Sequence, residues 1–419
     1  MGLKQKVYTS IVSLGKKNPH IMSFLRKGLF AAERTQYTWQ YVMNGLDDHL
    51  VLFEAYNGRQ YACSPKAIYE EMLKENLDYH YVWVVKDLER YAFLCENPNT
   101  TIVKFGSREY FRAYAKAKYW VVNSKKRTSI FKREGQYYIQ CWHGTPLKKI
   151  GCDLDADKSN AMLSIEAIHK SYEEDGAKYD YLISPSKFAT KVFTSAFRLE
   201  DRQDIIIETG YPRNDILYNY QESDIVSIKE RLGLPKDKKV ILYAPTWRDN
   251  QHQSGVGYTY ELPLDLKALY ESLHDDYVVL LRLHYLVAQS LNIDEYSGFL
   301  YNVSDCDDIN DLYLVSDLLV TDYSSVFFDY ANLKRPMFFF MYDYESYKHE
   351  LRDFYIDIDT LPGPVSQTQE DLIADLKQVD AYKEKYHDLY ETFNQTYNAL
   401  DDGQSSKRVI ERCILSHED

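Results

Sequence analysis

The sequence contains no long apolar stretch, and this absence argues against a membrane-spanning helix. None of its apolar runs approaches the roughly 20 residues that cross a bilayer, and residues 336–341 fit a buried strand instead. The dispersed positive charges of the N-terminus are not followed by an uninterrupted apolar segment, so a secretory signal peptide is not expected. Internal repeats and low-complexity tracts are also missing, which argues against solenoid and disordered architectures.

The cysteine pattern lacks the spacing of metal fingers and redox motifs. The six cysteines contain no CxxC pair, so they indicate free thiols in a reducing compartment and argue against a structural zinc site. They are Cys63, Cys95, Cys141, Cys152, Cys306 and Cys413.

Several sequence signatures of other enzyme classes are missing. The sequence has no P-loop GxxxxGK[ST], which disfavours a kinase or ATPase, and no GxSxG or HExxH motif. Its net charge of -13 argues against binding of nucleic acid by the whole surface. No DxD-type acidic cluster accompanies the motifs below, so we expect no bound metal and no cofactor.

The N-terminal segment differs in charge from the rest of this acidic chain. Its first 32 residues include six Lys or Arg and no acidic residue, and Val7, Ile11 and Leu14 recur at helical spacing. Basic amphipathic helices bind anionic membrane surfaces. We therefore predict a docking segment over residues 1–45, with a surface helix packed on its own domain as the alternative.

From about residue 48, short apolar runs alternate with helical stretches, a pattern typical of βαβ units and parallel sheets. The hydrophilic stretch at residues 218–227 separates two such series. We predict an α/β protein with one Rossmann-like domain over residues 46–220 and another over residues 221–419. Predicted strands cover residues 49–53, 81–85, 119–122, 137–141, 181–183, 239–243, 277–281, 318–320 and 337–340.

Candidate ligand-binding residues follow these strands, where open α/β sheets bind their ligands. Trp142-His143-Gly144-Thr145-Pro146 comes directly after one strand. His143 at a strand tip could act as a general base near neutral pH, although a lone histidine is more often structural.

Two cationic motifs suit a pyrophosphate. Arg213 in Gly210-Tyr211-Pro212-Arg213-Asn214 could bind a phosphate through its guanidinium fork, or pair with Asp215 on a turn. If the strand at residues 277–281 continues, Arg282 and His284 in Arg282-Leu283-His284 share one face. A satisfied strand-end histidine with a surface arginine is the alternative.

Two further strand ends offer hydroxyl groups. Pro245 and Thr246 follow the strand at residues 239–243, where Thr246 could donate to a nucleotide oxygen or simply leave the strand. Ser324 and Ser325 are predicted to open a helix that runs to residue 332, where free N–H groups favour a phosphate; the alternative is a simple helix cap. Asp329 lies on the same helix face and could reach a hydroxyl pair.

Taken together, these motifs resemble the CDP-glycerol glycerophosphotransferase family, the wall teichoic acid primases and polymerases of Gram-positive bacteria. The resemblance extends in family order over residues 140–345. It is carried by Trp142-His143-Gly144-Thr145-Pro146-Leu147-Lys148, Gly210-Tyr211-Pro212-Arg213-Asn214, Ala244-Pro245-Thr246-Trp247-Arg248, Arg282-Leu283-His284 and Thr321-Asp322-Tyr323-Ser324-Ser325 with Asp329.

The resemblance implies a GT-B-like fold, with two Rossmann-like domains facing across a cleft. It implies transfer of glycerol phosphate from CDP-glycerol to a lipid-linked glycan or polyol phosphate acceptor at the cytoplasmic face of the membrane, with release of CMP. His143 and His284 match the family's catalytic histidines. The CDP-glycerol contacts would be Trp142, His143, Gly144, Thr145, Pro146, Arg213, Pro245, Thr246, Arg282, Leu283, His284, Ser324, Ser325 and Asp329.

Several alternatives remain open at this point. The donor could be CDP-ribitol or a nucleotide sugar, and the chain could be a nucleotide-binding scaffold without activity. The length suits one catalytic module, which favours a primase or short-chain enzyme over a long-chain polymerase.

Overall fold

The computed structural model describes residues 19–155, 164–246, 252–253, 257–258, 262–283, 293–344 and 353–417; for residues 19–26, 252–253 and 257–258 it describes the backbone only. Within these ranges, no helix combines the length and the apolar composition that a bilayer crossing requires. Two compact units are distinguished by their internal contacts. The first comprises the described residues up to Arg59, Asp78–Val121 and Lys125–Tyr138; the second comprises Gln60–Leu77, Val122–Ser124 and the described residues from Ile139 onward.

The strands follow the apolar runs of the sequence. The predicted strands are confirmed, and most of them have ends shifted by one or two residues. They could be predicted because a strand covered on both faces reads as a continuous apolar run. Their bounds are β1 Asp47–Glu54, β2 His80–Val85, β3 Thr100–Lys104, β4 Ala117–Val122, β5 Tyr137–Gln140, β6 Tyr181–Ser184, β7 Ile206–Glu208, β8 Lys239–Ala244, β9 His252–Gln253, β10 Gly257–Tyr258, β11 Tyr277–Leu281, β12 Leu300–Asn302, β13 Leu318–Thr321, β14 Met337–Phe340 and β15 Val365–Ser366.

Helices occupy most of the connections between these strands. Their bounds are α1 Pro19–Met43, α2 Cys63–Lys74, α3 Arg108–Lys116, α4 Ile165–Gly176, α5 Lys187–Ala196, α6 Ile216–Asn219, α7 Glu222–Leu232, α8 Leu266–Leu273, α9 Ile309–Val315, α10 Val326–Tyr330, α11 Gln369–Lys377, α12 Tyr382–Tyr397 and α13 Ser405–Cys413. Local chemistry fixes several helix ends. The Ser107 side chain accepts a hydrogen bond from the N–H of Tyr110 at the start of α3. Gly233 follows α7 directly as its C-cap, with a φ of 67° that favours glycine.

The first unit contains neighbouring strands in the order β3-β2-β1-β4, in which β1 pairs parallel with β2 and β2 pairs parallel with β3. Leu50 of β1 lies opposite His80 of β2, and Tyr81 lies opposite Thr100 of β3. Helix α1 packs against α3 in this unit. The Tyr37 ring of α1 meets the Phe131 ring edge-on, with 4.9 Å between the ring centroids.

The second unit contains a six-stranded sheet in the order β12-β11-β8-β13-β14-β15, with all neighbouring strands parallel. It also contains the parallel pairings of β5 with β6 and of β6 with β7. The apolar side chains of β8, β11 and β13 form the centre of its core. This α/β architecture of two parallel-strand regions confirms the predicted fold class. The domain boundaries at residues 45 and 220 stay predictions.

The strand predicted at residues 277–281 is confirmed as β11, and because it ends at Leu281, the condition for a strand face that includes Arg282 is not met. One local prediction was wrong in extent. Helix α10 begins at Val326 and ends at Tyr330, after which a 3-10 turn covers Ala331–Leu333, so the predicted single helix is divided.

Candidate functional site

The carboxyl ends of three neighbouring strands meet at one edge of the six-stranded sheet. β8 lies between β11 and β13, so the strand ends at Ala244, Leu281 and Thr321 are adjacent. The backbone N–H of Thr246 donates to Asp322 Oδ1 at 2.8 Å, which joins the chain leaving β8 to the chain leaving β13. This edge is where parallel sheets bind their ligands.

A cavity of about 470 Å³ lies at this edge, within the second unit. Its volume is within the range of small-molecule sites. Part of its wall is the turn after β5, and the remainder comes from the chain following β8, β11 and β13. Eleven of the predicted contact residues line it: Trp142, His143, Gly144, Thr145, Pro146, Pro245, Thr246, Arg282, Leu283, Ser324 and Ser325.

Two of the predicted residues that the structure describes are not in this lining. Arg213 and Asp329 are buried and pair with each other. His284 lies outside the described residues. The structure therefore brings together most of the predicted set, while the contacts of all these residues with a substrate stay predictions.

His143 has a defined tautomer. Its Nδ1 lies 2.8 Å from the backbone carbonyl oxygen of Asn123. A carbonyl only accepts hydrogen bonds, so Nδ1 must carry the proton, and in the neutral ring Nε2 carries the lone pair. This arrangement suits a general base that takes a proton at Nε2.

The surroundings of His143 favour its neutral form. The ring is accessible to solvent from the cavity, yet protein atoms surround much of it, and this burial lowers the pKa of His143 below its ordinary value. The hydrogen bond to Asn123 opposes the shift, and the positive charge of Arg213 adds to it. At neutral pH the imidazole is thus mainly unprotonated.

The turn after β5 has an unusual backbone. Trp142 adopts a φ of 50°, which costs a non-glycine residue of the order of 1 kcal/mol or more. Its indole ring stacks on the His143 ring at 4.3 Å between centroids and meets Phe197 edge-on at 5.1 Å. Packing on both partners holds the strained residue in place and orients the imidazole.

Gly144 permits a close approach between this turn and the chain after β13. A Cβ atom at Gly144 would lie 3.1 Å from Ser325 Oγ and 3.6 Å from Arg213 Nη2. The first of these distances is shorter than ordinary carbon–oxygen contacts, so a side chain here would displace the Ser325 hydroxyl by a few tenths of an ångström.

Arg213 binds protein groups rather than presenting an open fork to the cavity. Its Nη2 donates to both carboxylate oxygens of Asp329 at 2.6 Å, and its Nη1 donates to the His143 carbonyl oxygen at 2.7 Å. Asp215, its alternative partner, instead accepts from the N–H groups of Ser405 and Ser406. Arg213 therefore supports the His143 turn, and Asp329 balances its charge.

Two cations line the cavity itself. Arg282 donates through Nη1 to the carbonyl oxygens of Val303 and Ser304, at 3.0 and 2.8 Å, and to that of Cys306. This guanidinium thus also fixes the loop after β12. Lys148 is the second cation. Both bring positive charge to a cavity that was predicted to hold a pyrophosphate.

Ser324 and Ser325 stand at the start of α10, as predicted, and both line the cavity. Among the described contacts, the Ser325 side chain makes no capping hydrogen bond to this helix, so simple capping does not account for it. Helix α10 has only five residues, so its dipole is small and the hydroxyl groups are the more important donors.

The described part of the chain contains no group of three or more His, Cys, Asp or Glu side chains that could hold a metal ion. The expectation of no bound metal and no cofactor stays a prediction.

Sequence reasoning missed three supporting residues. Asn123 follows β4 directly and Asp322 follows β13, so the strand-end rule that singled out His143 could have found both. Lys148 lies inside the quoted motif that begins at Trp142, but it was not selected as a site residue.

The chain is similar to a known protein family, to curated proteins and to solved structures. The sequence profile described as "CDP-Glycerol:Poly(glycerophosphate) glycerophosphotransferase" matches residues 35–415. A teichoic acid glycerol-phosphate transferase of Staphylococcus aureus is 42% identical over 384 residues, which cover 90% of this chain and 96% of that protein.

A teichoic acid poly(glycerol phosphate) polymerase of Bacillus subtilis is 42% identical over 362 residues, or 86% of this chain. This chain spans only 48% of that longer protein. The chain also superposes on a structure of the wall teichoic acid polymerase TagF, in a variant soaked with CDPG, with a TM-score of 0.83. The two are 37% identical, and the match covers 96% of this chain and 97% of that one. This similarity supports the predicted GT-B-like fold class.

Proposed function

This chain belongs to the CDP-glycerol:poly(glycerophosphate) glycerophosphotransferase family, and we propose that it transfers glycerol phosphate from CDP-glycerol to a hydroxyl group during synthesis of teichoic acid or a related cell-surface polymer. CMP is the second product. The acceptor is a lipid-linked glycan or a growing polyol phosphate chain.

The observation that carries the proposal is His143 in the wall of the cavity. Its Nδ1 proton is bound by the Asn123 carbonyl, so its Nε2 lone pair can accept a proton, and its pKa is shifted so that the base is neutral at neutral pH. A scaffold that only binds nucleotides needs neither a fixed tautomer nor a strained turn that holds it.

In the proposed reaction, His143 Nε2 takes the proton of the acceptor hydroxyl as its oxygen attacks the phosphorus that bears glycerol. The new O–P bond forms while the bond from that phosphorus to the bridging oxygen breaks. The bridging oxygen leaves with the electron pair as part of CMP. His284 stays a predicted second catalytic residue that could protonate this leaving phosphate.

The charges around the cavity fit this role. Phosphoryl transfer depends mainly on positioning and on stabilising charge on the phosphate oxygens. Lys148 and Arg282 supply positive charge, and Ser324 and Ser325 supply hydroxyl donors at the start of α10. We assign the pyrophosphate to this part of the cavity.

Donor turnover tests the proposal directly. Purified protein is incubated with CDP-glycerol, CDP-ribitol or a UDP-sugar and a lipid-linked disaccharide analogue, and nucleotide release is measured. We expect CMP from CDP-glycerol, with loss of turnover in His143→Ala and normal turnover in His387→Ala, whose histidine is exposed on α12. Release from CDP-ribitol or UDP-sugar alone would replace the assigned donor, and binding of CDP-glycerol without any release would favour a scaffold. Product mass separates a single addition from a polymer ladder.

We also propose that the protein works at the cytoplasmic face of the membrane, bound peripherally to anionic lipid through its N-terminal region. Helix α1 supports this idea, because several large apolar side chains on it face solvent. Trp39, Val42 and Met43 are 58%, 72% and 61% exposed. Such a row of side chains enters the interface between headgroups and acyl chains readily.

Vesicle flotation tests the membrane proposal separately. We expect the protein to float with vesicles that contain phosphatidylglycerol and less with pure phosphatidylcholine. A Trp39→Ser/Val42→Ser variant should lose binding, while Leu389→Ser, which alters an exposed leucine on α12, should keep it. Equal flotation of both variants would exclude this face of α1 as the contact.

A further inference from the structure

The turn that carries Arg213 is packed against a segment from the far end of the chain. Gly210, at the start of this turn, has a φ of 80°, and a Cβ atom there would lie 2.6 Å from the Leu400 carbonyl oxygen and 2.8 Å from Asp401 Oδ1. Only glycine allows this approach. The contact therefore places the Asp401 carboxylate directly behind the turn.

Asp401 is hydrogen-bonded on both of its oxygens. Its Oδ1 accepts from the backbone N–H of Tyr211 at 2.7 Å. Its Oδ2 accepts from the side-chain amides of Asn214, at 2.7 Å, and Asn332, at 3.2 Å. With only 6% of Asp401 exposed, these bonds are made away from bulk water and hold the turn in one geometry.

The fixed turn determines where the Arg213 guanidinium lies. Tyr211 and Asn214 stand on either side of Arg213, whose Nη1 donates to the His143 carbonyl oxygen at 2.7 Å. We propose that Asp401 is a positioning residue for the transfer reaction, which holds His143 in its catalytic geometry through the turn and Arg213. This inference rests on the proposed function of His143.

The charge balance supports this role. Asp329 already neutralises Arg213, so an ionised Asp401 adds a second negative charge to the buried network. Burial raises the pKa of Asp401 to about 7, and the nearby Asp329 charge raises it too, while hydrogen bonds from Asn214, Tyr211 and Asn332 oppose the shift. Burying a carboxyl group costs free energy unless hydrogen bonds replace those it made with water.

Two substitutions separate positioning from general stability. Asp401→Ala removes every bond, and we expect kcat to fall on the order of 10- to 100-fold with KM for CDP-glycerol changed less than about threefold, because small misplacements of a base cost this much. Asp401→Asn keeps an acceptor for Tyr211, and the Asn214 Oδ1 atom, which has no hydrogen-bond partner among the described residues, can turn to accept from it. Its loss should be smaller.

The matched control is Glu54→Gln in the first unit. Glu54 is also a fully buried carboxylate, bound by Tyr114 at 2.7 Å and by Lys126. This variant should lower the melting temperature while the folded protein keeps normal kcat. A loss in the Asp401 variants that appears only in KM, or that matches the loss in Glu54→Gln at equal stability, would overturn the proposal.

The imidazole of His143 provides a readout that does not depend on turnover. In spectra of ¹⁵N-histidine-labelled protein, His143 is assigned by its loss in His143→Ala. We expect its signal to shift in folded Asp401→Ala and to shift less in Asp401→Asn. An unchanged signal would overturn the positioning role. A shifted signal in a protein whose wild type releases no CMP would refute the proposed function while leaving the link between Asp401 and His143 intact.

Discussion

Replacing Asp329 by Asn would remove the carboxylate that balances a buried guanidinium. The side chains of Arg213 and Asp329 are 8% and 5% exposed, and both carboxylate oxygens lie 2.6 Å from Arg213 Nη2. The amide that replaces the carboxylate has one acceptor and no charge. Arg213 would then keep its positive charge in a place that water hardly reaches.

The expected cost follows from this burial. Breaking a buried ion pair by removing one partner costs about 3–5 kcal/mol, because the remaining charge stays desolvated. The total free energy of unfolding is only about 5–15 kcal/mol, so Asp329→Asn should fold with a much reduced margin. Arg213→Met should cost less, because burial already raises the pKa of Asp329, which can take up a proton once the cation is gone.

A double-mutant cycle in urea measures the pair. Unfolding is followed by tryptophan fluorescence for the two single variants and for Arg213→Met/Asp329→Asn. We expect the double variant to be destabilised by at least about 2 kcal/mol less than the sum of the single variants, because it leaves no unpaired charge. The surface pair Arg231–Asp311, with side chains 58% and 25% exposed, is the control, and Asp311→Asn should cost at most about 1 kcal/mol.

Additive effects in this cycle, or a loss below about 1 kcal/mol for Asp329→Asn, would refute the assignment of Asp329 as the counterion of Arg213. The position of the guanidinium under His143 would then need another explanation.

Three further predictions concern the same region. His143→Ala should lower kcat by about 10²- to 10⁴-fold with donor affinity retained. Because the pKa of His143 is lowered, the acidic fall of wild-type kcat/KM should have its midpoint below the ordinary histidine pKa of 6.5, and a midpoint at or above 6.5 would contradict this. Gly144→Ala should lower kcat/KM at least tenfold, which corresponds to about 1.4 kcal/mol, because the added Cβ atom lies 3.1 Å from Ser325 Oγ. Wild-type rates of this variant in steady-state assays would contradict the prediction. Burial raises the pKa of Asp401 from 3.8 to about 7. The stability that this group contributes is therefore fully present below pH 4 and is lost as the pH rises through 7. In thermal unfolding from pH 4 to 8, the melting temperature should fall in wild type and fall less in Asp401→Asn.

Sequence reasoning found the strands and the places where they end. β8, β11 and β13 could be identified because strands buried on both faces need continuous apolar runs, and such runs are local features of the chain. The residues that follow them could be proposed as site residues because parallel strands direct their carboxyl ends to one edge. Six of these residues line one cavity, together with five predicted residues that follow β5.

The partners of these residues were decided by the tertiary structure. Arg213 meets Asp329 across 116 residues of sequence, and Asp401 reaches Tyr211 across 190. No periodicity relates residues so far apart, and a plausible local partner for Arg213, Asp215, instead binds the start of α13. The sequence by itself determined which residues stand at the strand ends, since that depends on short-range patterns of apolar side chains. Only the folded chain decided the tautomer of His143 and the pairing of Arg213, because both depend on carbonyl and carboxylate groups that long-range packing brings within hydrogen-bonding distance.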